Sequence, residues 1–420
     1  MTLAAAAFLA LGPALPAARQ KERFPGFGGY VLAVGDVDGD KLGDLLVLDS
    51  VGVGFGSGGW LPGAKTERAW IVSPAAGRVV FDFGARDFSW QRLKYAAVGD
   101  VDGDGHADLA LLEKPSAERP KVPLEIWSGK ERRVTRTLDV AAEGERFGAS
   151  FASLGDVDGD GFGELAIGAP GASREGKRVG AVHIVRVRDG SIVSTVWGDA
   201  ANADFGESVI ALGDLNRDGA CDFAVNSSSE TRFYCGRSGV RWLLKAGCAL
   251  RVVERCGDVD GDGCADFVGF ERGRESWSSR HVLSGADGSL LQSTELRLGS
   301  YQDVQALGDL EGDGMLDFVC ADYRRGVAQG QVDVVSGAGE LFWSSGESMH
   351  WQFGWALDVL GDVDGDGRVD IAVGVDHTKS WEDGVLYVYD ARSGRTIAQL
   401  RRRGDDVRVW KPEPSPSKPK

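Results

Sequence analysis

The stretch Gly99-Asp100-Val101-Asp102-Gly103-Asp104-Gly105-His106-Ala107-Asp108 places carboxylates at alternate positions with glycines between them, and the apolar run Leu109-Ala110-Leu111-Leu112 follows directly. The same phrase occurs seven times in the 420 residues, beginning at Asp36, Asp100, Asp156, Asp214, Asp258, Asp309 and Asp362. Successive copies lie 64, 56, 58, 44, 51 and 53 residues apart. A period of that size is the mark of a repeat architecture.

Outward from the loop, each repeat has four strand-like beats. In the third, Phe147–Leu154 reads as strand A and the Asp loop turns the chain. Leu165–Pro170 is strand B, Gly180–Val187 alternates as strand C, and Ser191–Gly198 is strand D after the Asp189-Gly190 turn signal. Strand C recurs at Leu124–Trp127, Gln331–Val335 and Val385–Tyr389, and strand D at Ser289–Leu291 and Thr396–Ala398. No long 3.6-residue periodicity interrupts the series. Four antiparallel strands repeated seven times predict an all-β, seven-bladed β-propeller of four-stranded blades. An open array is the rival; a closed ring hides its edges and needs no capping repeats. The repeats are expected over about 24–84, 85–141, 142–199, 200–246, 247–298, 299–345 and 346–403.

The net charge of −16 has a location. The 28 side-chain positions of the loops hold 27 carboxylates, and the rest of the chain is net +11. Seven bound divalent ions would bring the whole chain to −2. The acidity is therefore a metal-site signature rather than a sign of a basic partner.

Each loop presents side-chain oxygens at positions 1, 3, 5 and 9 and a backbone carbonyl at position 7. The sets are Asp36, Asp38, Asp40, Leu42 and Asp44; Asp100, Asp102, Asp104, His106 and Asp108; Asp156, Asp158, Asp160, Phe162 and Glu164. They continue as Asp214, Asn216, Asp218, Ala220 and Asp222; Asp258, Asp260, Asp262, Cys264 and Asp266; Asp309, Glu311, Asp313, Met315 and Asp317; Asp362, Asp364, Asp366, Arg368 and Asp370. Dense hard oxygens around one point suit Ca²⁺ better than Mg²⁺. Position 12 is Val47, Leu111, Ile167, Val225, Gly269, Cys320 or Val373, so these are not EF-hands, which need Glu there. Lys41 replaces the position-6 glycine in loop 1, and Asn216 and Arg217 depart from the pattern in loop 4. Loop 1 is expected to be the weakest site, then loops 4 or 6. At a Kd near 10⁻⁴ M and about 10⁻³ M calcium, each site contributes roughly 1.4 kcal/mol, or about 10 kcal/mol for seven.

These residues resemble the FG-GAP repeats of integrin α-subunit propellers and their bacterial relatives. Phe147-Gly148, Gly155 to Gly161 and Ile167-Gly168-Ala169-Pro170 spell the full motif, and Phe205-Gly206 and Phe353-Gly354 stand at the same offset before their loops. Repeats 1, 2, 5 and 6 keep the Asp loop without Gly-Ala-Pro. The resemblance covers about 24–403 and implies Ca²⁺ in the A–B loops, up to seven ions. It also implies partners on the opposite face, at the B–C and D–A loops. Function does not follow from fold alone.

On that opposite face the candidate binding residues are Trp60, Trp277, Tyr323, Arg324, Arg325, His377 and Trp381, aromatic and basic residues on variable loops. Trp127, Trp197 and Trp343 read as core. Gly54 to Gly59 matches GxGxxG by letter, but no helix pattern follows to cradle a phosphate. The five histidines show neither HExxH nor a partnered nucleophile. Residues 1–18 read as a signal peptide lacking the usual early cation, and 404–420 as a closing segment with a disordered Pro/Lys tail. Among the six cysteines a 221–235 disulfide would join the ends of adjacent strands, with free thiols as the alternative. The expectation is a secreted or surface, monomeric, non-enzymatic propeller that binds an extracellular protein or glycan, with no nucleic acid and no transmembrane segment. The alternatives are a polysaccharide lyase or hydrolase working in the funnel, or a purely structural surface repeat.

Overall fold

The computed structural model describes residues 27–50, 55–56, 59–60, 67–86, 93–113, 123–140, 146–201, 203–227, 231–239, 241–242, 250–272, 277–295, 303–322, 330–345, 350–351, 353–375, 377–378, 385–403 and 406–411. They form seven four- or five-stranded antiparallel blades, each a meander, with three further two-stranded sheets in the connections. The third blade runs Phe151–Gly155, Glu164–Ala169, Ala181–Arg186 and Ile192–Trp197, strands A to D. The innermost strands are Phe27–Gly35, Leu93–Gly99, Phe151–Gly155, Ser208–Gly213, Leu250–Gly257, Asp303–Gly308 and Ala356–Gly361. Each neighbours the next and the last neighbours the first, so the ring is closed.

The core is divided among the seven blade junctions. Leu32, Ile71, Leu109 and Trp127 fill the space between blades 1 and 2, and Phe205, Val182, Phe223 and Tyr234 that between blades 3 and 4. Both faces of every blade are thus covered. That is why the B strands read as unbroken apolar runs rather than alternating ones. Strand B of blade 3, Glu164–Ala169, is buried at all its positions.

Among the described residues blade 1 is built from the first part of the chain and blade 7 from the last, with no strand exchanged between them. Closure rests on side chains: Val31, Leu45, Trp70, Leu360, Leu386 and Leu400 share one buried cluster. The carboxylate of Asp358, 2% exposed, accepts the Ala33 backbone N–H at 2.6 Å. One blade earlier, the Gln305 amide donates to Leu357 O at 2.9 Å. The strand Asp406–Trp410 joins blade 7 as a fifth strand beside Arg78–Arg86 of blade 1. The Lys411 ammonium donates to Ala75 O of blade 1.

Three expectations are corrected. Strand A of blade 3 begins at Phe151, not Phe147. Phe147-Gly148 instead forms a turn, with Gly148 at φ 77° and no room for a Cβ beside Leu112 of blade 2. Cys221 and Cys235 are free thiols: one donates to Asp222 O and the other to the Asp218 carboxylate. Of the three tryptophans, Trp127 is buried, whereas Trp197 and Trp343 on outer strands are only partly so. Trp343 spends its indole N–H on Ala391 O of the next blade, at 2.7 Å.

Candidate metal centres

All seven Asp loops join strand A to strand B, so the topology sets them on one face. Their internal geometry repeats closely. In loop 2 the Asp100 carboxylate accepts the N–H groups of Gly103, Asp104 and Gly105 at 2.7, 3.0 and 2.8 Å. Asp104 accepts the His106 N–H at 2.9 Å, and Asp108 closes the loop by accepting the Val101 N–H at 3.1 Å. In loop 1, Lys41 takes the left-handed conformation (φ 72°) and its N–H still donates to Asp36 at 2.8 Å. The bond comes from the backbone, so the lysine costs strain but not geometry.

The structure brings three carboxylates of five loops together, with oxygens within 4.8 Å of one another. They are Asp36, Asp38 and Asp40; Asp100, Asp102 and Asp108; Asp156, Asp158 and Glu164; Asp258, Asp260 and Asp262; and Asp362, Asp364 and Asp366. Loops 4 and 6 form no such group among the described residues. In four of these loops, 1, 2, 3 and 7, oxygens are buried yet meet no hydrogen-bond donor: Asp38 Oδ1, Asp44 Oδ1, Asp102 Oδ1, Glu164 Oε1 and Asp370 Oδ1. An ionised carboxylate can only accept, so these atoms fit a cation. Burial, reinforced by neighbouring carboxylates, pushes Asp44 and Asp370 up to about 8. Burial likewise raises Asp108 and Glu164 to about 7 and Asp222 to about 6. A positive charge at the loop centre would reverse that penalty.

Sequence reasoning missed the neighbours of these loops. Part of the compensating charge is arginine. Arg78 reaches Asp38 at 2.7 Å, Arg395 reaches Asp364 at 2.7 Å, and Arg186 binds Asp158 and Asp160. The net +11 outside the loops was the available signal. Position 7, valued only for its carbonyl, also links one loop to the previous one. The His106 ring meets Val37 O at 3.0 Å, the Cys264 thiol faces Leu215 O, and Leu42 lies against Gly365. Position 8 adds backbone bonds, Ala107 N–H to Asp36 O at 2.7 Å and Gly163 N–H to Val101 O at 2.9 Å. In blades 2, 4, 5 and 6 a glycine after strand C donates its N–H to the position-9 carboxylate. These are Gly129, Gly236, Gly285 and Gly337, at 3.0, 3.2, 2.9 and 2.9 Å. The recurring Ser-Gly dipeptide at three of the four was the clue.

At the other end of the blades, Phe205-Gly206 of blade 4 lies on Gly168-Ala169 of blade 3. The Ser150 hydroxyl donates to Gly206 O at 2.9 Å, and a Cβ on Gly168 would overlap that same carbonyl. The two halves of the motif are thus contacts between consecutive blades. On this face a short hairpin, Ser173–Arg174 with Lys177–Arg178, rises from the B–C loop of blade 3. Arg146 and Arg178 both pair with Asp204, at 3.2 and 3.1 Å. Tyr323, Arg324, Arg325 and Trp381 lie outside the described residues. Trp60, Trp277 and His377 belong to the strands Gly59–Trp60, Trp277–Leu283 and His377–Thr378, but their side chains lie outside the description. The signal-peptide reading of 1–18 and the tail 412–420 also fall outside it. Among the described residues no helix is long and apolar enough to cross a membrane.

Residues 147–185 match the FG-GAP repeat family model. The chain is 31% identical over 165 residues to integrin alpha-PS2 of Drosophila melanogaster, an alignment covering 36% of this chain and 11% of that protein. It is 34% identical over 136 residues to integrin alpha-V of Gallus gallus, covering 31% and 13%. The matched part therefore spans only a small fraction of these relatives' length. Among solved structures, the V. cholerae biofilm matrix protein Bap1 aligns at 14% identity and a TM-score of 0.43, over 93% of this chain and 84% of that one. The chain is thus a seven-bladed propeller with Asp loops that contains a match to the FG-GAP repeat and is similar, over about a third of its length, to integrin α-subunits.

Proposed function

We propose that the chain is an exported, calcium-stabilised propeller that binds an extracellular protein or glycan through the face opposite the Asp loops. The observation that carries the calcium half is the set of buried, acceptor-only oxygens in loops 1, 2, 3 and 7, at the turn the repeat places on one face. The residues that would hold the ion are the loop carboxylates at positions 1, 3, 5 and 9. Bound Ca²⁺ supplies the positive charge that lets these acids stay ionised while buried. Similarity to integrin α-subunits supports the adhesive half. So does the division of faces: the Asp loops use the A–B connections, leaving the B–C and D–A connections free to vary. In this reading residues 1–18 are a signal peptide, 24–403 the propeller and 404–420 a closing segment and tail.

The test is binding of the chain to protein and glycan arrays in calcium and in EDTA, alongside calcium uptake. Calcium-dependent capture that Arg324→Ala with Arg325→Ala abolishes, at an unchanged melting temperature, supports the reading. A chain that takes up no calcium, or whose capture ignores changes in the B–C loops, overturns it.

A further inference from the structure

Loop 4 differs from the others in more than one missing charge. Its position-3 residue is Asn216, whose amide donates to Asp222 Oδ1 at 3.3 Å while its oxygen accepts the Asp218 N–H at 2.9 Å. Asp222 has both oxygens engaged: Oδ2 by the N–H groups of Leu215 and Asn216, Oδ1 by Asn216 and the Gly236 N–H at 3.2 Å. The Cys235 thiol donates to Asp218 Oδ2 at 3.1 Å, and the Ala220 N–H serves Asp218 Oδ1 at 3.0 Å. Asp214 accepts from Asp218 and Gly219 at 3.0 and 2.8 Å. No carboxylate of this loop is among the buried oxygens that lack a donor, as in loops 5 and 6; the Asn216 amide and Arg217 are what set loop 4 apart. Arg217, at a position where the other six loops have glycine, adopts φ 60° and sends its guanidinium to Asp262 O of loop 5 at 2.6 Å.

We infer that loop 4 takes no divalent cation: the Asn216 amide and the Cys235 thiol stand in for the ion, and Arg217 ties the loop to its neighbour. Here the amide and the thiol each serve one carboxylate oxygen, where a cation would gather four or more oxygens. With its acceptors already paired, the loop gains little from an ion and loses the amide contact to admit one. The inference rests on the calcium reading of the other loops for its count, but not for its internal bonds. It follows that the chain holds at most six ions and that blade 4 keeps its loop in chelator.

Two measurements on the full chain test this, with Ca²⁺ alone as the probe. Native mass spectrometry should count one more calcium in the double variant Asn216→Asp, Arg217→Gly than in the parent; equal counts overturn the inference. In EDTA, Asn216→Asp should melt about 1–3 °C lower than the parent, because it removes a donor and sets a second carboxylate against Asp222. Asp102→Asn in loop 2 should melt at or above the parent, since Asp102 Oδ1 has no donor to lose. Cys235→Ala should also lower the EDTA melt, and Cys235→Ser, which keeps a donor, should not. An Asn216→Asp melt equal to or above the parent's in EDTA overturns the inference. If no form binds calcium yet Asn216→Asp still melts lower in EDTA, the calcium reading fails and the self-satisfied loop stands.

Discussion

Asp358 offers the sharpest test of how the ring closes. Its carboxyl is buried at the junction of blades 7 and 1, where it accepts the Ala33 N–H. Burial, offset by the backbone N–H groups of Ala33 and Val359 and aggravated by Asp303, pushes its pKa from 3.8 to about 7. The native state therefore holds a proton that the unfolded chain releases. Below about pH 4 both states are protonated and Asp358 carries no penalty. Between about pH 4 and 7 stability falls by roughly 1.4 kcal/mol per pH unit, and above pH 7 the loss levels off near 4 kcal/mol. Asp358→Asn keeps a carbonyl for Ala33 and cannot ionise, so this loss disappears. At about 2.1 cal/mol/K per residue, unfolding of 420 residues carries an entropy near 0.9 kcal/mol/K, so 4 kcal/mol corresponds to about 4–5 °C. Calorimetry of both proteins at pH 4.5 and pH 8, in calcium and again in EDTA, reads the difference. The variant should gain on the parent by several degrees between the two pH values, whatever its offset at pH 4.5. Parallel melting-temperature curves would refute a buried, proton-holding Asp358.

Three other outcomes follow from the geometry. EDTA should lower the melting temperature by about 8 °C, since five convergent loops at roughly 1.4 kcal/mol each amount to about 7 kcal/mol; an unchanged melt removes calcium from the stability of the fold. Gly285→Ala should cost about 3–5 kcal/mol in denaturant titrations, because its Cβ would overlap Ala265 O and break the N–H bond to Asp266; a loss under about 1 kcal/mol would show that the turn yields easily. Phe205→Ala should cost about 3–5 kcal/mol, since the ring is 2% exposed between blades 3 and 4 beneath Arg232; a cost near that of a surface change would mean the motif's phenylalanine does not seal the junction.

How much of this is legible in the sequence depends on how local the cause is. The alternation Asp100, Asp102, Asp104 with its glycines dictates a turn that folds onto its own first carboxylate, so loop position, repeat count and strand order were legible. The unbroken run Leu109–Leu112 likewise announced a strand covered on both faces, since a half-exposed strand would alternate. Lys41 displays its side chain in the sequence but serves the loop through its backbone N–H, which a left-handed φ of 72° delivers to Asp36. Phe147 reads as the start of a strand because an apolar residue before a strand pattern has no local mark of sitting in a turn packed against the core between blades 2 and 3. The chemistry of the loops thus belongs to the chain's own short-range order: carboxylates two residues apart must face the same point wherever the loop is placed. What only the tertiary structure decided lies between blades. Whether His106 reaches Val37, whether Arg78 answers Asp38, and which oxygens are left without a donor depend on the neighbouring segment's position, some 40 to 70 residues away in sequence. Closing the ring through Asp358 and Ala33 requires the two ends of the chain to meet, a contact across 325 residues that no local pattern encodes.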